Sequence, residues 1–166
     1  MKVFITGASS GIGEALAHEY AKRYQQDKTI LGLAARRSEH LQILKEKLES
    51  SYQIKCVIYP MDVRNHAELA NAAADFVHQY GAPNIVIASA GVSSGTLTEQ
   101  AEDTAAFQAV MDINVMGLVN TFQPFISAMR EAAQRGEKAQ LVGIASVAGV
   151  RGLPGEETPD PLGALE

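Results

Sequence analysis

Lys2-Val3-Phe4-Ile5-Thr6-Gly7-Ala8-Ser9-Ser10-Gly11-Ile12-Gly13 begins as a short apolar run and breaks into a glycine-punctuated turn. The residues that follow, Ile12–Gln26, repeat Ile12, Leu16, Ala17, Tyr20 and Tyr24 at helical spacing, so the glycines lie at a strand-to-helix junction. Glycine there permits a tight turn and lets the main chain approach a pyrophosphate, whose charge meets the free N–H groups at the helix start. No Lys-Ser/Thr pair follows, which separates this turn from a Walker-type phosphate loop. A purely structural turn is the competing reading; the position between an apolar strand and an amphipathic helix favours nucleotide binding.

Outward from this junction the chain alternates short apolar runs with longer amphipathic ones. Lys2–Thr6, Thr29–Ala34, Ile54–Tyr59, Asn84–Ala88 and Ala139–Ala145 read as strands, the third stopped by Pro60. Between them, Ser38 stands as a helix cap ahead of Leu41, Leu44 and Leu48, and His66–Tyr80 forms a helix ended by Gly81 and Pro83. Glu102–Met129 is long enough for a helix with bends at Gly117 and Pro124. Strands that are apolar on both faces need helices on both faces of a parallel sheet. The expected fold class is therefore α/β: a Rossmann-like, doubly wound parallel sheet in three α/β/α layers. One domain is expected over 1–155. The Gly- and Pro-rich end has no helical or strand period, so 156–166 is expected to be an irregular or disordered tail.

Composition narrows the function. The chain has 166 residues, 46% of them hydrophobic, enough for one core. Lys and Arg total 14 against 19 Asp and Glu, a net charge of -5 with no basic stripe, which argues against nucleic acid as a partner. No apolar run approaches the ~20 residues that cross a bilayer, so no membrane association is expected. The single cysteine, Cys56, lies in an apolar run and reads as an inert buried thiol. With no internal disulfide possible, a reducing, cytoplasmic setting is the expectation.

Thr6–Gly13 resembles the Thr-Gly-x-x-x-Gly-x-Gly motif of the short-chain dehydrogenase/reductase family, and further matches follow in order. Asp62-Val63 resembles the family's adenine-contacting acidic pair. Ala88-Ser89-Ala90-Gly91 stands where the family usually has Asn-Asn-Ala-Gly, Asn114 matches the asparagine of its catalytic tetrad, and Gly143-Ile144-Ala145-Ser146 matches its catalytic-serine segment. The resemblance spans residues 2 to about 155. It implies an NAD(P)-dependent oxidoreductase (EC 1.1.1.-) that interconverts a carbonyl and an alcohol on a small molecule by hydride transfer. It implies cofactor contacts from Gly7, Ser9, Ser10, Gly11, Ile12, Gly13, Asp62, Val63, Ala90 and Gly91. Ser146 would steady the substrate oxygen, and Asn114 would help to hold a proton-relay water. It also implies a homo-oligomer built through the long helix.

At the end of the second strand stand Ala34-Ala35-Arg36-Arg37, where NAD-selective folds place a carboxylate for the ribose hydroxyl. A guanidinium instead pairs with a 2′-phosphate, so Arg36 and Arg37 favour NADP(H) over NAD(H). The resemblance also implies a tyrosine about a dozen residues beyond Ser146 and a lysine four further on. The sequence there is Glu156-Glu157-Thr158-Pro159-Asp160-Pro161-Leu162-Gly163; no tyrosine follows Tyr80 and no lysine follows Lys138. Thr158 has too high an intrinsic pKa to replace a phenol, and Glu156 or Glu157 would set negative charge near a developing alkoxide. The chain therefore reads as truncated or altered before Tyr-x-x-x-Lys, with an incomplete sheet, an open edge at its fifth strand and impaired or absent turnover. The alternative is a non-catalytic nucleotide-binding or interaction protein of the same fold. Its helix around Phe107, Val110, Met111, Val115, Leu118 and Phe122 would then pair with a partner.

Overall fold

The computed structural model describes residues 1–94 and 100–146. The first half alternates as the apolar runs require: β1 (Lys2–Thr6), α1 (Gly11–Arg23), β2 (Ile30–Ala35), α2 (Ser38–Ser51), β3 (Lys55–Pro60), α3 (His66–Tyr80) and β4 (Ile85–Ala88). A 3-10 turn, Ala101–Asp103, then leads into α4 (Thr104–Val110). A π-helical turn, Met111–Met116, joins α4 to α5 (Gly117–Phe122). A second 3-10 turn, Gln123–Phe125, carries Pro124 and passes into α6 (Ile126–Gln134), and β5 (Gln140–Gly143) is the last described element.

The five strands are parallel and lie in the order β3-β2-β1-β4-β5. The chain winds outward one way from β1 to β3, then crosses back to β4, so the order reverses between β1 and β4. Alternation along β1 sorts the core into two layers. Val3 and Ile5 join Leu41, Leu44 and Leu48 of α2 and Ala17 and Ala21 of α1 on one face. Phe4 joins Leu69 and Phe76 of α3, with Ile113, Phe125 and Met129 from the long helical segment, on the other. Phe4 meets Phe76 edge-on at 5.6 Å and Phe125 at 4.8 Å between ring centroids. Emptying that site by Phe4→Ala would cost about 3–5 kcal/mol. This is the expected three-layer α/β/α sheet.

Several boundaries differ from the sequence expectation for local reasons. Ser38 is the first helical residue of α2 rather than its cap; Arg37 holds the cap position, with no side-chain bond to the helix start. At α3 the cap is Asn65, whose side chain accepts a hydrogen bond from Glu68 N at 3.2 Å. Asn84 stands just before β4, and its backbone bonds to both neighbouring segments: N–H to Lys2 O at 2.8 Å and C=O from Gln140 N at 2.9 Å. The side-chain amide bridges the same two segments. Its Oδ1 accepts from Lys2 N at 2.9 Å and its Nδ2 donates to Lys138 O at 3.2 Å. α1 ends at Arg23, three residues early, and Lys22 and Arg23 in its last turn complement the negative end of the helix dipole. The long helix is broken at both expected places and runs on to Gln134. The domain limit at 155 and the tail 156–166 lie outside the described residues.

Candidate functional site

A cavity of 490 Å³ opens at the C-terminal ends of the strands, where the order reverses. Doubly wound sheets bind ligands at this kind of crevice. Gly7, Ser9, Ser10, Gly11 and Ile12 line it from the β1–α1 turn, Arg36 and Arg37 from the end of β2, and Asp62 and Val63 from the end of β3. Ala90 and Gly91 come from the end of β4, Asn114 from the π turn, and Ser146 from the chain after β5. Every site residue expected from the sequence borders this one cavity except Gly13, which is buried beneath the turn.

Two close approaches shape the turn. Gly7 has φ +70, and a Cβ there would stand 2.6 Å from Ala90 N. A Cβ on Gly13 would stand 2.4 Å from Gly7 O, so the start of α1 presses directly on the backbone it follows. Ser10 occupies the α1 cap position with no side-chain bond to the helix, which leaves the first-turn N–H groups without a capping side chain. Its hydroxyl instead accepts from Arg37 Nη2 at 2.7 Å. The same guanidinium donates to Ser9 O at 3.3 Å and to Ser9 Oγ at 3.1 Å, so Arg37 is latched onto the glycine turn. Arg36 makes no hydrogen bond or ion pair among the described residues, and its charge reaches Asp62. Ile12 is 58% exposed at the cavity mouth.

Asp62 is gripped by Arg64. Arg64 Nη2 donates to Asp62 Oδ2 at 2.7 Å, while its Nε and backbone N–H both donate to Oδ1 at 3.0 Å. These bonds, helped by the nearby charge of Arg36, hold the Asp62 carboxyl below the usual carboxylate range. On the opposite wall both ends of the Asn114 amide are engaged by one residue. Oδ1 accepts from Val92 N at 2.9 Å and Nδ2 donates to Val92 O at 2.9 Å, which pins the loop after β4. A π turn is a common device for aiming a side chain at a site, and here it turns Asn114 into the cavity.

Beneath the cavity, polar bonds join the elements that carry its walls. Asn120 Nδ2 donates to Val63 O at 3.0 Å, tying α5 to the acidic segment. Thr121 Oγ1 donates to Gly117 O at 2.7 Å and lies 3.4 Å from Thr6 Oγ1, both side chains fully buried. Asn120, Thr121 and Arg64 carried no recognisable signal in the sequence, since nothing local distinguishes them from surface polar residues. Met61, Ser89, Val92, Ile113 and Leu118 also line the cavity. Of these, Met61 and Ser89 were legible in principle, each following directly on a strand. Cys56 is buried, and burial pushes its thiol up to about 12, as an inert core thiol requires. Among the described residues no group of His, Cys, Asp or Glu could hold a metal ion, and no helix is long and apolar enough to cross a membrane.

The profile of the short chain dehydrogenase family matches residues 1–158. A sulfoacetaldehyde reductase from Chromohalobacter salexigens is 32% identical over 153 residues, 92% of this chain and 57% of that protein. An NADPH-dependent pterin aldehyde reductase from Arabidopsis thaliana is 37% identical over 130 residues, 76% of this chain and 50% of that one. The L-sorbose reductase of Gluconobacter frateurii, solved with NADPH and L-sorbose, superposes with a TM-score of 0.81 at 25% identity over 98% of this chain and 59% of its own. The chain spans from about a third (32%) to a little over half (58%) of the length of curated relatives that it matches.

Proposed function

Since the chain belongs to the short chain dehydrogenase family, we propose that it binds NADP(H) and derives from an oxidoreductase that interconverts a carbonyl and an alcohol on a small molecule. The observation that carries this is the single cavity bordered by the glycine turn, Arg36, Asp62, Asn114 and Ser146 together. The residues fit a dinucleotide. Uncapped N–H groups at the start of α1 suit a pyrophosphate, and the exposed part of Ile12 suits an aromatic or sugar face. Asp62 suits an amine donor at the adenine end. Arg36, which makes no hydrogen bond or ion pair among the described residues, suits a 2′-phosphate, whereas Arg37 supports the turn through Ser9 and Ser10. When bound, the cofactor supplies the hydride. Ser146 steadies the substrate oxygen, and Asn114 fixes the loop that borders it while its Oδ1 keeps a second lone pair for a water.

Within these 166 residues the proton-handling side is thin: no tyrosine follows Tyr80 and no lysine follows Lys138. We therefore assign this chain dinucleotide binding with impaired turnover; a binding or interaction role without catalysis is the second reading, favoured by the same two absences. The test pairs calorimetric titration of NADPH and NADH with a mixing experiment against a carbonyl panel, following loss of NADPH absorbance. Tighter binding of NADPH with little oxidation supports the assignment. Failure to bind either dinucleotide overturns it, and rapid turnover overturns the impairment.

A further inference from the structure

The turn after β3 is tied down from several sides. Asp62 O accepts from Asn65 N at 2.9 Å, and Asn65 in turn caps α3 through its bond from Glu68 N. Val63 O accepts from Asn120 Nδ2 at 3.0 Å. The Asp62 carboxylate takes three bonds, all from Arg64: the backbone N–H and Nε on Oδ1, and Nη2 on Oδ2. A carboxylate has about four lone-pair sites, shared equally by its oxygens. Among the described residues Arg64 therefore fills Oδ1 and leaves one acceptor direction, on Oδ2.

Asp62 lines the cavity and Arg64 does not. The guanidinium thus acts on a ligand there through the carboxylate it grips. The backbone N–H bond alone would let that carboxylate swing about a single contact. The planar fork of Nε and Nη2 fixes the plane of the group as well. The charges of Arg64 and Arg36 favour the ionised form, which accepts hydrogen bonds and donates none.

We propose that Arg64 is a positioning residue for base recognition: by clamping Asp62 it makes the site select a 6-amino purine over a 6-oxo purine in the dinucleotide. This rests on the proposed dinucleotide reading, with Asp62 at the adenine end. A 6-amino group offers an N–H donor to the remaining lone pair of Oδ2. A 6-oxo ring sets a carbonyl there, acceptor against acceptor, and carries its donor one position along, at N1–H. A carboxylate free to turn would follow that donor. A clamped one is left facing the carbonyl, and an unmatched acceptor pair weakens binding.

The test titrates NADPH and its 6-oxo (hypoxanthine) analogue into the 166-residue chain by calorimetry. The unmodified chain should prefer NADPH by at least about tenfold. Arg64→Ala should shrink that preference to within about threefold, and Arg64→Lys, which has no planar fork, should restore only part of it. The side chains of Arg64 and Asp62 are 47% and 26% exposed, so the pair adds little to stability and both variants should melt near the unmodified chain. A turn merely loosened would lose both dinucleotides equally with the preference intact, and that result overturns the proposal. So does a preference abolished by Asp62→Asn but kept by Arg64→Ala, which would leave Asp62 reading the base unaided. A loss on Arg64→Ala that falls on NADPH and spares NADH also overturns it, by placing Arg64 at the 2′-phosphate. If neither NADPH nor NADH binds, dinucleotide binding itself fails; NADPH bound with no base preference sinks the role of Arg64 alone.

Discussion

On the β1–β2 side of the cavity the main chain leaves no slack. A Cβ on Gly13 would lie 2.4 Å from Gly7 O, and Arg37 locks the serines between those two glycines. On the β4–β5 side the wall is held by side chains: the Asn114 amide clasps Val92, and the chain from β5 to Ser146 is partly exposed. Backbone against backbone admits almost no substitution, whereas a wall carried by side chains can be remade residue by residue. The first half suits a ligand of fixed shape, and the second suits variable ones.

The hardest blow to this contrast would come from Gly13→Val. Its branched side chain has only main chain to displace, so a loss of about 3 kcal/mol in stability is expected. A fall in NADPH affinity of at least about a hundredfold should accompany it. Thermal unfolding and calorimetry read both, and near-normal binding would show that the turn can yield after all. Arg36→Ala should weaken NADPH about tenfold and leave NADH within about twofold; equal losses in parallel titrations would remove Arg36 from cofactor choice. Asn114→Ala breaks two hydrogen bonds worth about 1 kcal/mol each, so stability should fall by about 1–2 kcal/mol, with faster exchange of the Val92 amide. NADPH affinity should move less than about threefold, and a drop as deep as that of Gly13→Val would mean the two sides are not separable. The smallest effect is a pH dependence. Asp62 has a lowered carboxyl pKa in the folded chain, chiefly through its hydrogen bond from Arg64. Its stabilising contribution is therefore present above the unfolded carboxylate value of about 3.9 and is lost as pH falls through the folded one. Melting curves of the unmodified chain and Asp62→Asn should differ slightly at neutral pH and converge as acid titrates the folded carboxyl; a gap that widens in acid would reverse the sign.

The sheet was legible because its strands are apolar on both faces and because Gly7, Gly11 and Gly13 mark the first crossover by position. Arg36 and Asp62 were legible for a related reason, each lying just past a strand whose end could be seen. What could not be seen depends on partners far along the chain. Ser38 has the composition of a cap, but helix start and cap differ by one residue, and composition does not resolve one residue. Asn84 has the look of a strand start, but that its side-chain amide ties together Lys2 and Lys138, from two other segments, could not be read. Arg36 and Arg37 are alike in sequence, and only the bonds of Arg37 to Ser9 and Ser10 separate their roles. The break before Gly117 was visible as a glycine, but its kind was not, because a π turn leaves no compositional mark.

That turn, Met111–Met116, has a consequence for the tolerance of the chain to length change. A wider coil stores one surplus residue within an otherwise α-helical path. Removing one residue between Met111 and Ile113 would let the segment tighten into ordinary helix, so that Phe125 and Met129 downstream keep their seats against Phe4 while the amide of Asn114 swings away from Val92. A deletion elsewhere between Thr104 and Gln134 would rotate the whole downstream helix out of phase with the sheet. The molecule thus carries a spare residue at the one place in this segment where losing it would harm the pocket and spare the core.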